Sequence, residues 1–341
     1  MKTEFIVLNE RRNVTLTAYI LDAGGEFKNI PKRPAVLILP GGGYAFCSDR
    51  EADPAAMPYL QAGYHAFILR YSVKEHKTWP NPLDDYEQAI TTIRSRAGEW
   101  NVYADKIAVV GFSAGGHLAG AAAVMSDNRP DAAILGYAAV SGVTIKMCSA
   151  TAPDIIGAVD NKTCPCFVFT TVDDNVVPAK NSIAFIEALD NCGVAYESHF
   201  YAYGPHGIST GDKSVMAPDA RLCERAPRWV GDSIGWLRDM FGDFGQGRMT
   251  EPRCPARLND DGGAYLSVDC TLAHALKFEK AAKILEPVVK TGIKAANFGD
   301  GVDAMGFLSH FKLRDVFAFA DMPKTAMDVI DAQLKKIKTN R

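Results

Sequence analysis

Between Ala108 and Gly120 the chain reads AVVGFSAGGHLAG, with one serine set among glycines where an apolar β-branched run gives way to small residues suited to a helix. Gly111-Phe112-Ser113-Ala114-Gly115 is a G-x-S-x-G string. A sharp strand-to-helix turn leaves no room for side chains beside the serine, and such a turn presents its hydroxyl above a sheet. A serine hydroxyl is a poor nucleophile without a base, so a histidine is expected on a loop behind the last strand. His206 stands in such a loop, FYAYGPHGIS. The order Ser, acid, His then needs a carboxylate between them, and FTTVDDNVVP supplies Asp173 and Asp174. Asp174 opens D-x-x-V-P, whereas Asp173 points to the opposite side if the strand persists, so Asp174 is the expected acid. Charge developing on a carbonyl oxygen would further require N–H donors. LILPGGGYAF ends an early strand with Gly41-Gly42-Gly43, whose bare backbone lets amides approach a ligand, and Ala114 follows the serine. A phosphate-binding loop is the rival reading of the three glycines, but no G-x-G-x-x-G or G-K-[ST] follows them. Of the remaining histidines, His65 begins a strand, His117 lies just inside the helix that follows the serine, and His76, His199, His274 and His310 have no acid and nucleophile around them in such strings.

Several elements must position these groups. Candidate strands are FIVLN, VTLTAYIL, AVLILP, HAFILRYSV, KIAVVGF, AAILGYAAV, CFVFTTV and YESHFYAYG. Amphipathic helical patterns lie between several of them, DPAAMPYLQAG, PLDDYEQAITTIRSRAGEW, GGHLAGAAAVMS, KNSIAFIEALDNCG and PRWVGDSIGWLRDMFG. Near-continuous Val/Ile/Leu runs alternating with such helices predict an α/β class domain, a doubly wound, mostly parallel sheet covered on both faces. In that architecture ligands bind at the carboxyl ends of the strands, where every string above falls. After Gly245 the texture turns to GQGRMTEPRCPARLNDDGGA, which reads as a linker. LAHALKFEKAAKILEPVVKTGIKAA and KTAMDVIDAQLKKIK then carry helical spacing. The expected division is a catalytic domain over 1–245, a linker over 246–264 and a small α-helical module over 265–341.

The chain's 341 residues, 48% hydrophobic and 23% charged, suit a soluble globular protein with a sizeable core. A net charge of −3, with no basic stretch interleaved with aromatics, speaks against nucleic acid or an anionic membrane surface as a partner. The N-terminal apolar run is too short for a signal segment, and no stretch reaches the ~18 apolar residues of a membrane span, so a cytoplasmic location is expected. Cysteines 47, 148, 164, 166, 192, 223, 254 and 270 form no paired CxxC set, so free, mostly buried thiols are expected, with no metal.

Ser113 in G-x-S-x-G, Asp174 in D-x-x-V-P, His206 in a glycine-flanked loop and the triple glycine together resemble the α/β-hydrolase fold in its esterase and lipase branch. The fuller strings PGGGYAFCSDREADP and AGYHAFILRYSV are similar to bacterial acetyl esterases often encoded with xylan-degrading enzymes. Pro40, where larger lipase relatives carry histidine, fits that group. The resemblance covers roughly residues 30–215. It implies Ser113 as nucleophile, His206 as base, Asp174 as its orienting acid, and Gly42, Gly43 and Ala114 as oxyanion donors. Tyr44, beside the glycines, is taken as a substrate contact. The expected activity is that of a serine carboxylesterase needing no cofactor and cleaving short acyl esters, acetyl above all, from a small molecule or oligosaccharide. A serine peptidase of the same fold and a non-catalytic binding protein on this scaffold are the alternatives. The short segment between Gly142 and Thr163 predicts a reduced cap over the acyl pocket. The tail is similar to helical modules appended to some bacterial carbohydrate esterases and glycosidases. Its apolar residues, Leu272, Leu276, Ile284, Leu285, Phe307, Leu308, Phe311, Leu313, Phe317 and Phe319, are too few for an assured core of their own. It is therefore expected to dock near the active-site rim or to form a homodimer interface, with a separate carbohydrate-binding module as the alternative.

Overall fold

Period-two alternation organises the central strands. In β3 (Arg33–Leu39), Ala35, Leu37 and Leu39 face one apolar layer, while Val36 and Ile38 face the other. In β5 (Val102–Phe112), Ile107 and Val109 share the first layer, and Ala108, Val110 and Phe112 the second. Strands buried on both faces need helices on both faces. The computed structural model, which describes residues 1–258, 264–295 and 303–339, supplies them.

One sheet of eight strands runs in the order β1-β2-β4-β3-β5-β6-β7-β8, with β1 (Lys2–Asn9), β2 (Val14–Ile20), β4 (His65–Arg70), β6 (Ala132–Gly136), β7 (Cys166–Thr171) and β8 (Tyr196–Tyr201) completing it. β2 pairs antiparallel with β1 and β4, and every other pairing is parallel. The connecting helices are α1 (Asp53–Gln61), α2 (Asn81–Ser95), α3 (Ala97–Trp100), α4 (Ser113–Met125), α5 (Gly142–Ile145), α6 (Lys180–Asn191) and α7 (Trp229–Phe241). The expected strands and helices of this region are all present. From β3 the chain steps to β4 on one side and later to β5 on the other, so the winding reverses beside β3. Such a switch point opens a crevice at the carboxyl ends of the strands, and both the glycine loop after β3 and Ser113 after β5 lie at it.

The chain divides into two compact units, Met1–Cys254 and Pro255–Arg341, later than the boundary expected at 245. The stretch just past Gly245, read as linker, folds back onto the first unit. Phe244 and Met249 form an antiparallel bridge, Thr250 N–H donates to Asp243 O at 2.8 Å, and Met249 is buried. Residues 259–263 of the expected linker lie outside the described residues.

In the second unit lie α8 (Leu272–Leu276), α9 (Glu279–Ala295), α10 (Ala304–Ser309), α11 (Leu313–Phe319) and α12 (Lys324–Leu334). The pattern read as one helix over 272–296 is two, ended and restarted at Lys277–Phe278, and Ala296 is outside the described residues. That break lets Leu272 and Ala275 of α8 join Leu285 and Val289 of α9 in one cluster with Leu308, Leu313, Val316, Phe317 and Leu334. The tail therefore has an apolar core of its own, which the spacing of its apolar residues did not promise. Phe307 and Phe319 remain half exposed. All eight cysteines are free, and Cys164, Cys166, Cys223 and Cys270 are buried, Cys47, Cys148 and Cys192 half-buried and Cys254 exposed. Among the described residues no helix is long and apolar enough to cross a membrane.

Candidate active site

β5 turns directly into α4 at Ser113, which sits at φ +54°, in a region a side chain adopts only when its surroundings force it. The flanking glycines show what forces it. A Cβ on Gly111 would lie 2.2 Å from Gly115 O, and one on Gly115 would lie 2.1 Å from Leu39 O. Backbone of β3 and of the turn therefore packs where side chains would be, and the serine is left at the top of the sheet.

Ser113 Oγ lies 2.8 Å from His206 Nε2, and His206 Nδ1 lies 2.7 Å from Asp174 Oδ2. Asp174 is an acceptor, so Nδ1 carries the proton and Nε2 is left to accept from the serine. The D-x-x-V-P string explains how the acid is held. Val176 N–H and Val177 N–H each donate to Asp174 Oδ1 at 2.9 Å, leaving Oδ2 for the imidazole. Asp173 does not reach His206; its Oδ1 accepts from Gly204 N–H at 2.7 Å and so pins the histidine loop. Strand alternation does not separate the two aspartates, since β7 ends at Thr171 and both lie in the turn beyond it. The turn's amides make the selection.

A cleft of about 290 Å³ opens over Ser113 and His206, with Gly42 and Gly43 in its wall. The two glycines have φ +130° and +61°. Ala114 N belongs to the first turn of α4, where amides lack partners within the helix and the helix dipole is positive. The expected reduced cap is present as α5 and a following loop, and it contributes Thr144, Met147 and Cys148 to the cleft wall beside Phe46, Val176 and Val177.

Tyr44 corrects an expectation. Its side chain has 0% exposure and its hydroxyl donates to His117 Nδ1 at 2.8 Å, so it cannot touch a substrate. Burial raises this phenol's pKa well above the ordinary value. Its backbone, at φ +57° and accepting from Lys74 N–H at 2.8 Å, closes the glycine loop instead. His117 Nε2–H donates to Pro153 O at 2.9 Å, and burial lowers this imidazole to about 4, so it stays neutral.

Two polar residues at the site carried no signal of this kind in the sequence. Glu51, in CSDREADP, looks like an acid ahead of a helix, yet it is buried and lines the cleft. Tyr137, read as part of an apolar strand, is buried just past β6 with its ring against His206, centroids 5.1 Å apart. Among the described residues no group of three or more His, Cys, Asp or Glu could hold a metal ion.

A mostly parallel sheet wound around a switch point, with serine, acid and histidine borne beyond the ends of β5, β7 and β8, defines an α/β hydrolase. Comparison with known proteins agrees. The family model BD-FAE matches residues 26–147. MGS-M1, an α/β-hydrolase enzyme from a Medee basin deep-sea metagenome library, is 41% identical in its solved structure, with a TM-score of 0.65 over 70% of this chain and 98% of that one. The chain belongs to the α/β-hydrolase family. It is also similar to endo-1,4-beta-xylanase B of Butyrivibrio fibrisolvens, 31% identical over 54% of this chain and 34% of the relative. A further relative is the acetylxylan esterase of Xylanibacter ruminicola, 29% identical over 53% of this chain and 43% of the relative. The chain thus spans less than half the length of either of these two curated relatives.

Proposed function

We propose that this chain is a serine carboxylesterase that removes short acyl groups, acetyl above all, from a carbohydrate. The observation that carries the reading is the relay Ser113 Oγ, His206 Nε2, His206 Nδ1, Asp174 Oδ2, with separations of 2.8 and 2.7 Å, beneath a cleft walled by two glycines. In the proposed reaction His206 Nε2 takes the serine proton as Oγ attacks the ester carbonyl. The tetrahedral oxyanion accepts hydrogen bonds from the N–H groups of Gly42, Gly43 and Ala114. The imidazolium gives its proton to the leaving alcohol, and the acyl group stays on Ser113. Water then repeats the sequence, with His206 as base, and carboxylate leaves. Asp174 holds the Nδ1–H tautomer and stabilises the charged imidazole throughout.

The carbohydrate part of the reading rests on the acetylxylan esterase and the xylanase among the relatives. The short acyl part rests on the small cleft, about 290 Å³, whose wall residues Phe46 and Met147 are 56% and 80% exposed. Ser113→Ala is expected to lower kcat on 4-nitrophenyl acetate by about 10⁴-fold or more with the fold intact. A variant that keeps a tenth of wild-type turnover would rule the assignment out. Acetate release from a panel of acetylated xylo-oligosaccharides tests the alcohol.

A further inference from the structure

The glycine loop and the histidine loop approach the serine from different strands, and one buried side chain joins them. Glu51 is 3% exposed. Its Oε2 accepts from Gly41 N–H at 2.8 Å, and its Oε1 accepts from Tyr137 O–H at 2.6 Å. Ser209 N–H donates to the Tyr137 oxygen at 3.0 Å, so the phenol's own proton is left for Glu51, and the carboxyl group acts as acceptor on both oxygens. Ser209 is tied onward by its hydroxyl to Arg50 O and by its carbonyl to Trp229 Nε1–H at 2.9 Å. Glu51 also lies close to the nucleophile's turn. A Cβ on Gly41 would be 2.6 Å from Glu51 Oε2 and 3.1 Å from Ser113 Cβ, so only one bare glycine separates carboxylate and serine.

We propose that Glu51 is a positioning residue for acyl transfer, holding the oxyanion loop and the His206 loop in register. Gly41 N–H is occupied by this carboxylate. The N–H groups of Gly42 and Gly43, the next along the loop, are thereby aimed into the cleft. On the other side, Tyr137 carries the same constraint to His206 through its ring. Burial pushes the Glu51 carboxyl above the usual range, while the hydrogen bonds from Tyr137 and Gly41 and the positive field of His206 oppose that rise.

The inference rests on the serine-esterase reading, and Ser113→Ala run in parallel keeps the two separable. With 4-nitrophenyl acetate, Glu51→Gln is expected to lower kcat by about 10²-fold with KM changed less than about threefold, because a misplaced oxyanion loop loses transition-state rather than ground-state contacts. Glu51→Asp keeps a carboxylate on a shorter arm and is expected to restore part of kcat. Should Glu51→Gln not fold, Tyr137→Phe keeps the ring and the carboxylate but cuts their link, and it is expected to lower kcat about tenfold. Wild-type kcat in Glu51→Gln, a loss that falls on KM rather than kcat, or, if that variant does not fold, wild-type kcat in Tyr137→Phe, overturns the proposal. An active Ser113→Ala would instead overturn the esterase reading beneath it.

Discussion

The loop carrying His206 and the core behind α4 that encloses His117 use one side chain in opposite states. His206 has a carboxylate at Nδ1 and a hydroxyl at Nε2, so its proton sits on Nδ1 and its free lone pair faces Ser113 Oγ. His117 has a carbonyl at Nε2 and a phenol at Nδ1, so its proton sits on Nε2 and both nitrogens are satisfied. The first is partly open to solvent, at 18% side-chain exposure, with Asp174 beside it. The second is sealed, has no carboxylate at either nitrogen, and is held neutral. A histidine one turn from the serine is thus a packing group, while one 93 residues away completes the relay.

The largest expected effect tests the tautomer. Asp174→Asn should lower kcat by about 10⁴-fold by favouring the wrong proton position on His206. Asp173→Asn should be mild, because its amide oxygen can still accept from Gly204 N–H. Steady-state kinetics that reversed the two would break the comparison at its first term.

Next comes the sealed region. Tyr44→Phe leaves His117 Nδ1 without a donor and should cost about 1–3 kcal/mol of stability in urea unfolding, with kcat kept within about tenfold of wild type. A kinetic loss as large as that of Asp174→Asn would move His117 into the catalytic apparatus.

A smaller effect follows from pH. His65 resembles His117. It accepts from Leu21 N–H at Nδ1, donates from Nε2 to Asn101 O, and burial lowers it to about 4. Both groups charge more readily in the unfolded chain, where histidine titrates near ~6.5. Their contribution is therefore complete above about pH 6.5 and lost as pH falls toward about 4, with a slope of at most ~1.4 kcal/mol per pH unit for each. Unfolding free energy measured across that window should decline on acidification, and less steeply in His117→Gln. A flat profile would show that neither group is held neutral.

The smallest effect concerns the cleft wall. With Met147 80% and Val176 54% exposed, methylenes beyond a short acyl chain bury little, forgoing up to ~0.8 kcal/mol each. Accordingly, kcat/KM should not rise steadily from acetate to octanoate. A steady rise would mean that the α5 region closes over the chain and that the short-acyl reading is wrong.

The eight strands, the serine turn and the histidine loop are all legible in the sequence, because each depends on local order. Period-two apolar runs, glycines flanking a serine and a D-x-x-V-P turn act within a few residues of themselves. What the sequence leaves open is what distant segments do to one another. Asp174 and Asp173 differ in which amides the turn directs at them. Tyr44, in the loop after β3, turns inward to donate to His117 of α4. The tail gains a core because a break at Lys277–Phe278 folds two helices onto one cluster. Glu51 takes its meaning from Gly41, ten residues away, and from Tyr137, 86 residues away. A carboxylate's partners in a protein interior depend on which loops the sheet brings to the same strand ends, and only the tertiary structure decides that.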